Sequence, residues 1–190
     1  MSVRFFREFI RDPASVGAIA PSSAGLARMI SGQIDLNAAD FVVEIGPGSG
    51  AFTEAILDRL KPGARLIAVE NNPSMAATLR QRFPRLSVYE CSAVELSNIL
   101  VAAEMPHADC IVSGLPWAAF DDALQDALLG AILSALAPGG RFATFAYLQG
   151  LLLPAGRRFC RKLNGAFAEV TRSPTVWRNL PPAFVYRCRR

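Results

Sequence analysis

Phe41-Val42-Val43-Glu44-Ile45-Gly46-Pro47-Gly48-Ser49-Gly50 is the stretch on which the fold turns. Four of its first five side chains are apolar. A short run of that kind, broken only by Glu44, marks a strand buried on both faces of a parallel sheet. The glycines that follow allow a tight turn and let the backbone approach a ligand without a side-chain clash. Helical character then runs from about Ala51 to Leu60 and stops at Pro62-Gly63. Strand, glycine-rich turn and helix in that order aim the helix's free N–H groups at the turn, where an anionic group is favoured.

Outward from this unit, strand and helix signals alternate, the pattern of a parallel sheet with crossover helices. Strands are expected at Arg65–Glu70, Leu86–Glu90, Asp109–Ser113 and Arg141–Tyr147. Asn72-Pro73 has the form of an N-cap and first-turn proline for a helix reaching about Phe83. Ser92-x-x-Glu95 fits a capping box. Asp121 or Asp122 caps a long helix ending near Ala137, with Pro138-Gly139-Gly140 as its stop. A helix over Pro154–Leu163 and a closing pair of strands, Ala166–Thr171 and Ala183–Cys188, complete the alternation. About forty residues of helix and loop precede it. Residues 3–11 carry Val3, Phe6, Phe9 and Ile10 on one helical face and Arg4, Arg7, Glu8 and Arg11 on the other. A second helix is expected after Pro21-Ser22-Ser23. Together these predict one α/β domain over residues 1–190, with residues 1–40 as a helical extension.

Composition excludes several classes. At 190 residues and 52% hydrophobic content the chain suits one packed core. No apolar run approaches the ~20 residues that span a bilayer, and no signal peptide is expected. The four cysteines, Cys91, Cys110, Cys160 and Cys188, are scattered without a CxxC pair, which suggests reduced thiols in a cytosolic protein. His107 is the sole histidine and sits in a loop-like Met105-Pro106-His107, which disfavours a histidine triad or zinc cluster. No acidic cluster suggests a metal. The net charge is uneven: +2 over residues 1–28, −6 over 29–156 and +8 from Arg157 onward. Basic ends on an acidic body point to an anionic partner, either lipid headgroups or nucleic acid.

Glu70 ends the second expected strand twenty positions after Gly50, where an acid can accept hydrogen bonds from both hydroxyls of a ribose. Gly46-x-Gly48-x-x-Ala51 also satisfies a dinucleotide pattern, so NAD remains a rival. Against it stand the forty residues before the pattern and the acid, Glu44, ahead of the first glycine. A P-loop is excluded, since no Gly-Lys-Ser/Thr follows.

Glu44-x-Gly46-x-Gly48-x-Gly50, with Glu70 and the neighbouring Asn71, resembles the first motifs of class I S-adenosylmethionine (SAM)-dependent methyltransferases. That resemblance implies a Rossmann-like, seven-stranded, mostly parallel sheet with SAM as cofactor. Cys91-Ser92-Ala93 takes the place where many members carry an aspartate near the adenine; Ser92 offers a hydroxyl there or serves only as a cap. Ser113-Gly114-Leu115-Pro116-Trp117 is similar to the Asn-Leu-Pro-Tyr motif of nitrogen-directed members, with Ser113-Gly114 in place of the asparagine. Leu115, Pro116 and Trp117 would then position an amine. Trp117 would face its cation with ~0.5–2 kcal/mol of attraction, or else pack under the next helix. Tyr147 is a further orienter.

The whole chain resembles bacterial phospholipid N-methyltransferases, which convert phosphatidylethanolamine towards phosphatidylcholine. The likeness rests on Phe5-Phe6-Arg7-Glu8-Phe9, Val16-Gly17-Ala18-Ile19-Ala20-Pro21-Ser22-Ser23, the glycine loop, Gly114-Leu115-Pro116-Trp117 and Asn179-Leu180-Pro181-Pro182-Ala183. It implies a cytoplasmic enzyme, peripheral on the inner face of the membrane, acting by direct in-line transfer. Phe5, Phe6, Arg7 and Phe9 would lie in an anionic interface, with Arg157, Arg158 and Arg161 of a later helix on lipid phosphates. Two alternatives stay open. One is an rRNA adenine N6-methyltransferase, although this chain ends at Arg190 without room for the usual helical C-terminal domain. The other is a binding module with an inert core.

Overall fold

The structure, a computed structural model, describes residues 23–190. The helix expected over residues 3–11, with Phe5, Phe6, Arg7 and Phe9, lies outside the described residues. Among those described, seven strands form one sheet in the order β3-β2-β1-β4-β5-β7-β6. They are β1 (Phe41–Ile45), β2 (Arg65–Val69), β3 (Ser87–Tyr89), β4 (Ala108–Ser113), β5 (Leu136–Tyr147), β6 (Glu169–Arg172) and β7 (Ala183–Arg189). The first five run parallel, and β7 enters antiparallel between β5 and β6. All five residues of β1 are buried, as its unbroken apolar run requires of a central strand. Because β1 pairs with both β2 and β4, the winding reverses there, and a crevice opens beyond the carboxyl ends of β1 and β4.

Alternation along β1 divides the core. Phe41, Val43 and Ile45 face one layer with Leu96, Leu128, Ile132 and Phe159. Val42 faces the other with Leu26, Ile30, Phe52 and Ile56. Helices α1 (Ala24–Ser31) and α2 (Ala51–Leu57) supply the second layer. The remaining helices, α3 (Pro73–Arg82), α4 (Leu96–Ala102), α5 (Asp122–Ala135) and α6 (Pro154–Ala166), complete the flanks. Their caps are those the sequence announces. Ser23 Oγ accepts from Leu26 N, Asn72 Oδ1 from Ser74 N and Met75 N ahead of Pro73, and Asp121 Oδ1 from Leu124 N.

Several expected boundaries move. Helix α5 stops at Ala135, and the Pro138-Gly139-Gly140 segment belongs to β5. There Gly139 adopts a φ of +72° and the register against β4 shifts between Ala108 and Cys110, so this is a bulge rather than a helix stop. Helix α6 runs on to Ala166, which delays β6 to Glu169. Ser92 caps a short 3-10 turn over Ala93–Glu95, accepting from Val94 N at 3.4 Å, and α4 begins only after it. His107 is exposed, as its loop setting suggests.

Phe159 of α6 ties the C-terminal half to the sheet. Its ring stacks on Trp117 at 4.3 Å and meets Tyr186 of β7 edge-on at 6.2 Å. Phe159→Ala would leave a cavity with little room to collapse and is expected to cost about 3–5 kcal/mol. Urea unfolding followed by circular dichroism checks it; a loss below about 1 kcal/mol would show that α6 is held some other way.

Candidate active site at the carboxyl ends of β1 and β4

Two turns meet backbone to backbone in the crevice. Gly114 N donates to Ile45 O at 2.8 Å, and Gly46 N donates to Val69 O at 2.9 Å. A Cβ on Gly114 would sit 2.3 Å from Gly46 O, and one on Gly46, where φ is +65°, would sit 2.5 Å from Leu115 Cδ2. Only glycine allows this approach. The other side of the loop is open, since a Cβ on Gly48 would meet nothing within 4 Å. That side can receive a ligand against backbone.

Two carboxylates flank the loop. Glu70 Oε2 accepts from Gly48 N at 3.0 Å and its Oε1 from Asn72 N at 2.9 Å. Each oxygen keeps a further lone pair, which suits a vicinal diol. Asn71 stands exposed beside it. Glu44 is fully buried on the α2 face of β1. Its Oε2 accepts from Thr53 Oγ1 at 2.6 Å, while Oε1 has no partner. Burial, only partly offset by the Thr53 bond and reinforced by the charge of Glu70, pushes the Glu44 carboxyl from its ordinary 4.5 up to about 8. An unpartnered buried carboxyl oxygen of this kind fits a cationic group brought by a ligand. The open glycine loop, Glu70 for a ribose and Glu44 for a positive charge together fit SAM. Ser92, half-buried at the end of β3, acts as a cap; its hydroxyl proton stays available as a donor. Ala93 beside it is buried.

The turn after β4 gives Ser113 a structural role in place of the expected cofactor contact, and Trp117 the packing role that was the second of its two readings. Ser113 is fully buried, and its Oγ accepts from Leu115 N at 3.2 Å and from Trp117 Nε1 at 3.1 Å. Its hydroxyl shapes the turn instead of reaching the cofactor. Trp117 is 2% exposed and stacked on Phe159, with Phe120 and Phe142 in T-shaped contact. The indole therefore anchors the corner and does not offer an open face to an ammonium. Gln125 of α5 holds the same corner from behind, donating through Nε2 to Trp117 O at 2.9 Å and to Ala155 O at 3.1 Å. Neither Gln125 nor Thr53 stands out in the sequence. The one available signal was a lone amide among the alanines and leucines of α5.

Beside this turn opens a cavity of about 410 Å³ with mostly apolar walls, among them Pro116, Phe145, Tyr147, Leu151 and Leu153. Trp117, Phe159 and Tyr186 also line it. Leu115, which precedes the cavity-lining Pro116 in the chain, packs on Gly46, so the turn that lines the cavity also touches the glycine loop. Burial pushes the Tyr147 phenol up, which keeps it protonated at neutral pH. The cavity-lining segment Leu148–Leu152, a short 3-10 turn, was not foreseen as part of the site.

The basic face of α6 is also thinner than its sequence suggests. Arg158 pairs with Asp122 at 3.4 Å, and Lys162 pairs with Asp122 at 2.8 Å and with Asp126. Hydrogen bonding from Lys162, with the nearby positive charges, holds the Asp122 carboxyl below the usual range. Arg158 is thus committed to α5, whereas Arg157 and Arg161 are exposed.

Two outcomes follow from this geometry. Gly114→Ala is expected to destabilise the ligand-free protein by about 2 kcal/mol or more and to abolish ligand binding at the loop, read by denaturation and calorimetry. Glu44 ionises near 4.5 when unfolded and near 8 when folded. The native state therefore holds the extra proton between those values, and stability falls as pH rises through that window. Melting temperature of the ligand-free protein should decline from about pH 5 to pH 8 and flatten above it. Glu44→Gln should remove the decline; parallel profiles for the two proteins would refute the assignment.

Comparison with known proteins agrees with this geometry. A family model described as a methyltransferase domain matches residues 43–142. The chain is 34% identical over 188 residues to the ornithine lipid N-methyltransferase of Singulisphaera acidiphila, covering 97% of this chain and 94% of that protein. It is 35% identical over 102 residues to ribosomal RNA small subunit methyltransferase A of Thermotoga petrophila, covering 54% of this chain and 37% of that protein. In fold it matches the O-methyltransferase from Bacillus cereus, solved in complex with SAH, at a TM-score of 0.74 and 15% identity, over 97% of this chain and 90% of that one. An O-methyltransferase from Streptomyces achromogenes in complex with SAM matches at a TM-score of 0.71 and 16% identity, over 100% and 90%. The chain belongs to the SAM-dependent methyltransferases, as an enzyme carrying the methyltransferase domain and a homologue, almost end to end, of the ornithine lipid N-methyltransferase.

Proposed function

We propose that the chain methylates the headgroup amine of a membrane lipid, taking phosphatidylethanolamine and its mono- and dimethyl derivatives towards phosphatidylcholine. The observation that carries this reading is the apolar cavity of about 410 Å³ beside the Leu115-Pro116 turn. The end-to-end likeness to a lipid N-methyltransferase supports it. SAM supplies a methyl group already activated on a sulfonium, so positioning provides much of the rate. Glu44, the Gly46–Gly50 loop and Glu70 would hold it.

The chain's residues account for the rest. Leu115 O accepts from Trp117 N at 3.1 Å and keeps a second lone pair, which can take an N–H of the incoming amine. Tyr147, a phenol whose ionisation burial pushes further up, serves as a hydrogen-bond partner and not as a base. Apolar walls disfavour the ammonium form of an amine that enters them. The neutral amine, which is the nucleophile, is thereby favoured without a strong base. The aromatic rings of Phe145 and Tyr147 tolerate the quaternary ammonium that successive transfers would leave.

The same chemistry suits the free amine of an ornithine lipid, and the Singulisphaera acidiphila relative favours that second reading. Transfer of labelled methyl from SAM to vesicles of each lipid, run beside rRNA, decides among them. Phosphatidylethanolamine labelling is expected, falling at least about ten-fold in Glu70→Ala through cofactor affinity. Tyr147→Phe is expected to lower kcat with cofactor affinity unchanged. Labelling of ornithine lipid alone would move the assignment to that headgroup, and labelling of RNA alone would overturn the lipid reading.

A further inference from the structure

The cavity opens on a side of the molecule whose loops are unusually apolar. In the β5–β7 register Tyr147 pairs with Ala183, so the loop leading into β7 lies at the carboxyl end of the parallel strands, level with the cofactor loop. Leu148 N donates to Pro182 O at 2.9 Å, which joins that loop to the Leu148–Leu152 turn lining the cavity. On these two joined segments Trp177 is 69% exposed, Leu180 76% and Leu152 73%. Leu152 is itself part of the cavity wall.

The loop that carries Trp177 and Leu180 is built to hold them outward. Asn179 between them is buried; its Oδ1 accepts from Ser23 N at 3.0 Å and its Nδ2 donates to Pro181 O at 2.7 Å. Val176 N donates to Ala183 O at 2.7 Å, and Ser173 is bound to Val185 through both its backbone and its hydroxyl. Large apolar side chains on so well tied a loop do not serve the core. Their surroundings are basic. Arg178 lies between them, and Arg157 stands in the first turn of α6; both are exposed and neither forms an ion pair among the described residues. From Leu148 to Arg190 the one acid is Glu169, which stands opposite Arg189 in the β6–β7 register, at the other end of the sheet. Of the acids entering α5 on this side, Asp121 caps the helix and Asp122 is neutralised by Arg158 and Lys162.

We infer that Trp177, Leu180 and Leu152, with Arg178 and Arg157, form a docking face for an anionic lipid bilayer, placed so that the cavity mouth opens at the headgroup level. Assigning the face to lipid rests on the lipid-methylation reading above. An exposed tryptophan next to arginine suits the interfacial zone, where its ring is partly buried and its N–H stays wet. Arginines add attraction to anionic headgroups. No helix among the described residues is long and apolar enough to cross a membrane. A lipid amine could then reach Leu115 and Tyr147 while its acyl chains stay in the bilayer.

The two tryptophans give a direct test on the 190-residue chain, because Trp117 is buried and Trp177 is not. Adding vesicles of phosphatidylcholine and phosphatidylglycerol should shift the emission to the blue and make it quenchable by brominated lipid. Both effects should vanish in Trp177→Phe. The pair Trp177→Ser with Leu180→Ser should lower vesicle partitioning by about ten-fold or more. Its methylation of dihexanoyl phosphatidylethanolamine below the micelle concentration should stay unchanged. Trp177 that remains open to aqueous acrylamide on saturating vesicles, a double variant that partitions like the parent, or burial of Trp177 in a dimer would each overturn the docking face. Bromine quenching of Trp177 without methylation of any amine lipid would instead uphold the face and refute the substrate assignment.

Discussion

Everything in the site depends on the distance between two backbones. The turn after β1 and the turn after β4 touch through Gly46 and Gly114, at a spacing where one added carbon would lie 2.3 Å from a carbonyl oxygen. That contact fixes the glycine loop against the Leu115-Pro116 turn, and on the proposed reading it would set the donor methyl against the acceptor. A direct transfer has no covalent intermediate on the protein to correct misplacement, so geometry must come from rigid parts. The chain provides them at low cost by placing both turns on adjacent parallel strands, β1 and β4, joined along four paired positions from Val42 and Cys110 to Ile45 and Ser113.

Behind the turns stands a set of buried polar groups that each satisfy one structural demand. Ser113 Oγ receives two donors, Gln125 reaches two carbonyls, and Thr144 Oγ1 donates to Ser113 O. Gln125 Oε1 and Glu44 Oε1 are each left unpaired, and of the two only Glu44 can respond by taking up a proton. A buried unpaired oxygen is costly, and the carboxyl responds by holding its proton to about pH 8. A cationic group brought beside it would favour the ionised form instead.

Much of this was legible in the sequence, and for identifiable reasons. The buried run of β1, the Asn72-Pro73 and Asp121 caps and the glycine loop are local features whose physics acts over a few residues. They appear in the structure where the pattern puts them. The bulge at Gly139 was misplaced because a Pro-Gly-Gly segment stops a helix and kinks a strand equally well. Trp117 left two readings open for a different reason. An aromatic residue after Leu-Pro matches an amine-facing motif, but what covers its face is Phe159, 42 positions away, and no local pattern reports that contact. Arg158 and Lys162 lose their free charge to Asp122 and Asp126 in the same nonlocal way.

That neutralisation changes how an anionic surface could be met. A basic C-terminal third suggests electrostatics as the main attraction, yet on α6 two of the four cations face aspartates, and exposed pairs of this kind leave little field beyond a Debye length. What remains outward is a few arginines, each able to contribute about 1 kcal/mol near an anionic leaflet. Apolar burial is insensitive to salt and acts only on contact, so on the lipid reading the two forces divide the task. Charge would draw the molecule to the surface, and the exposed apolar side chains would set its depth and orientation. Orientation is the quantity that matters for the chemistry, because a cavity mouth turned away from the headgroups would leave a well-formed site without substrate.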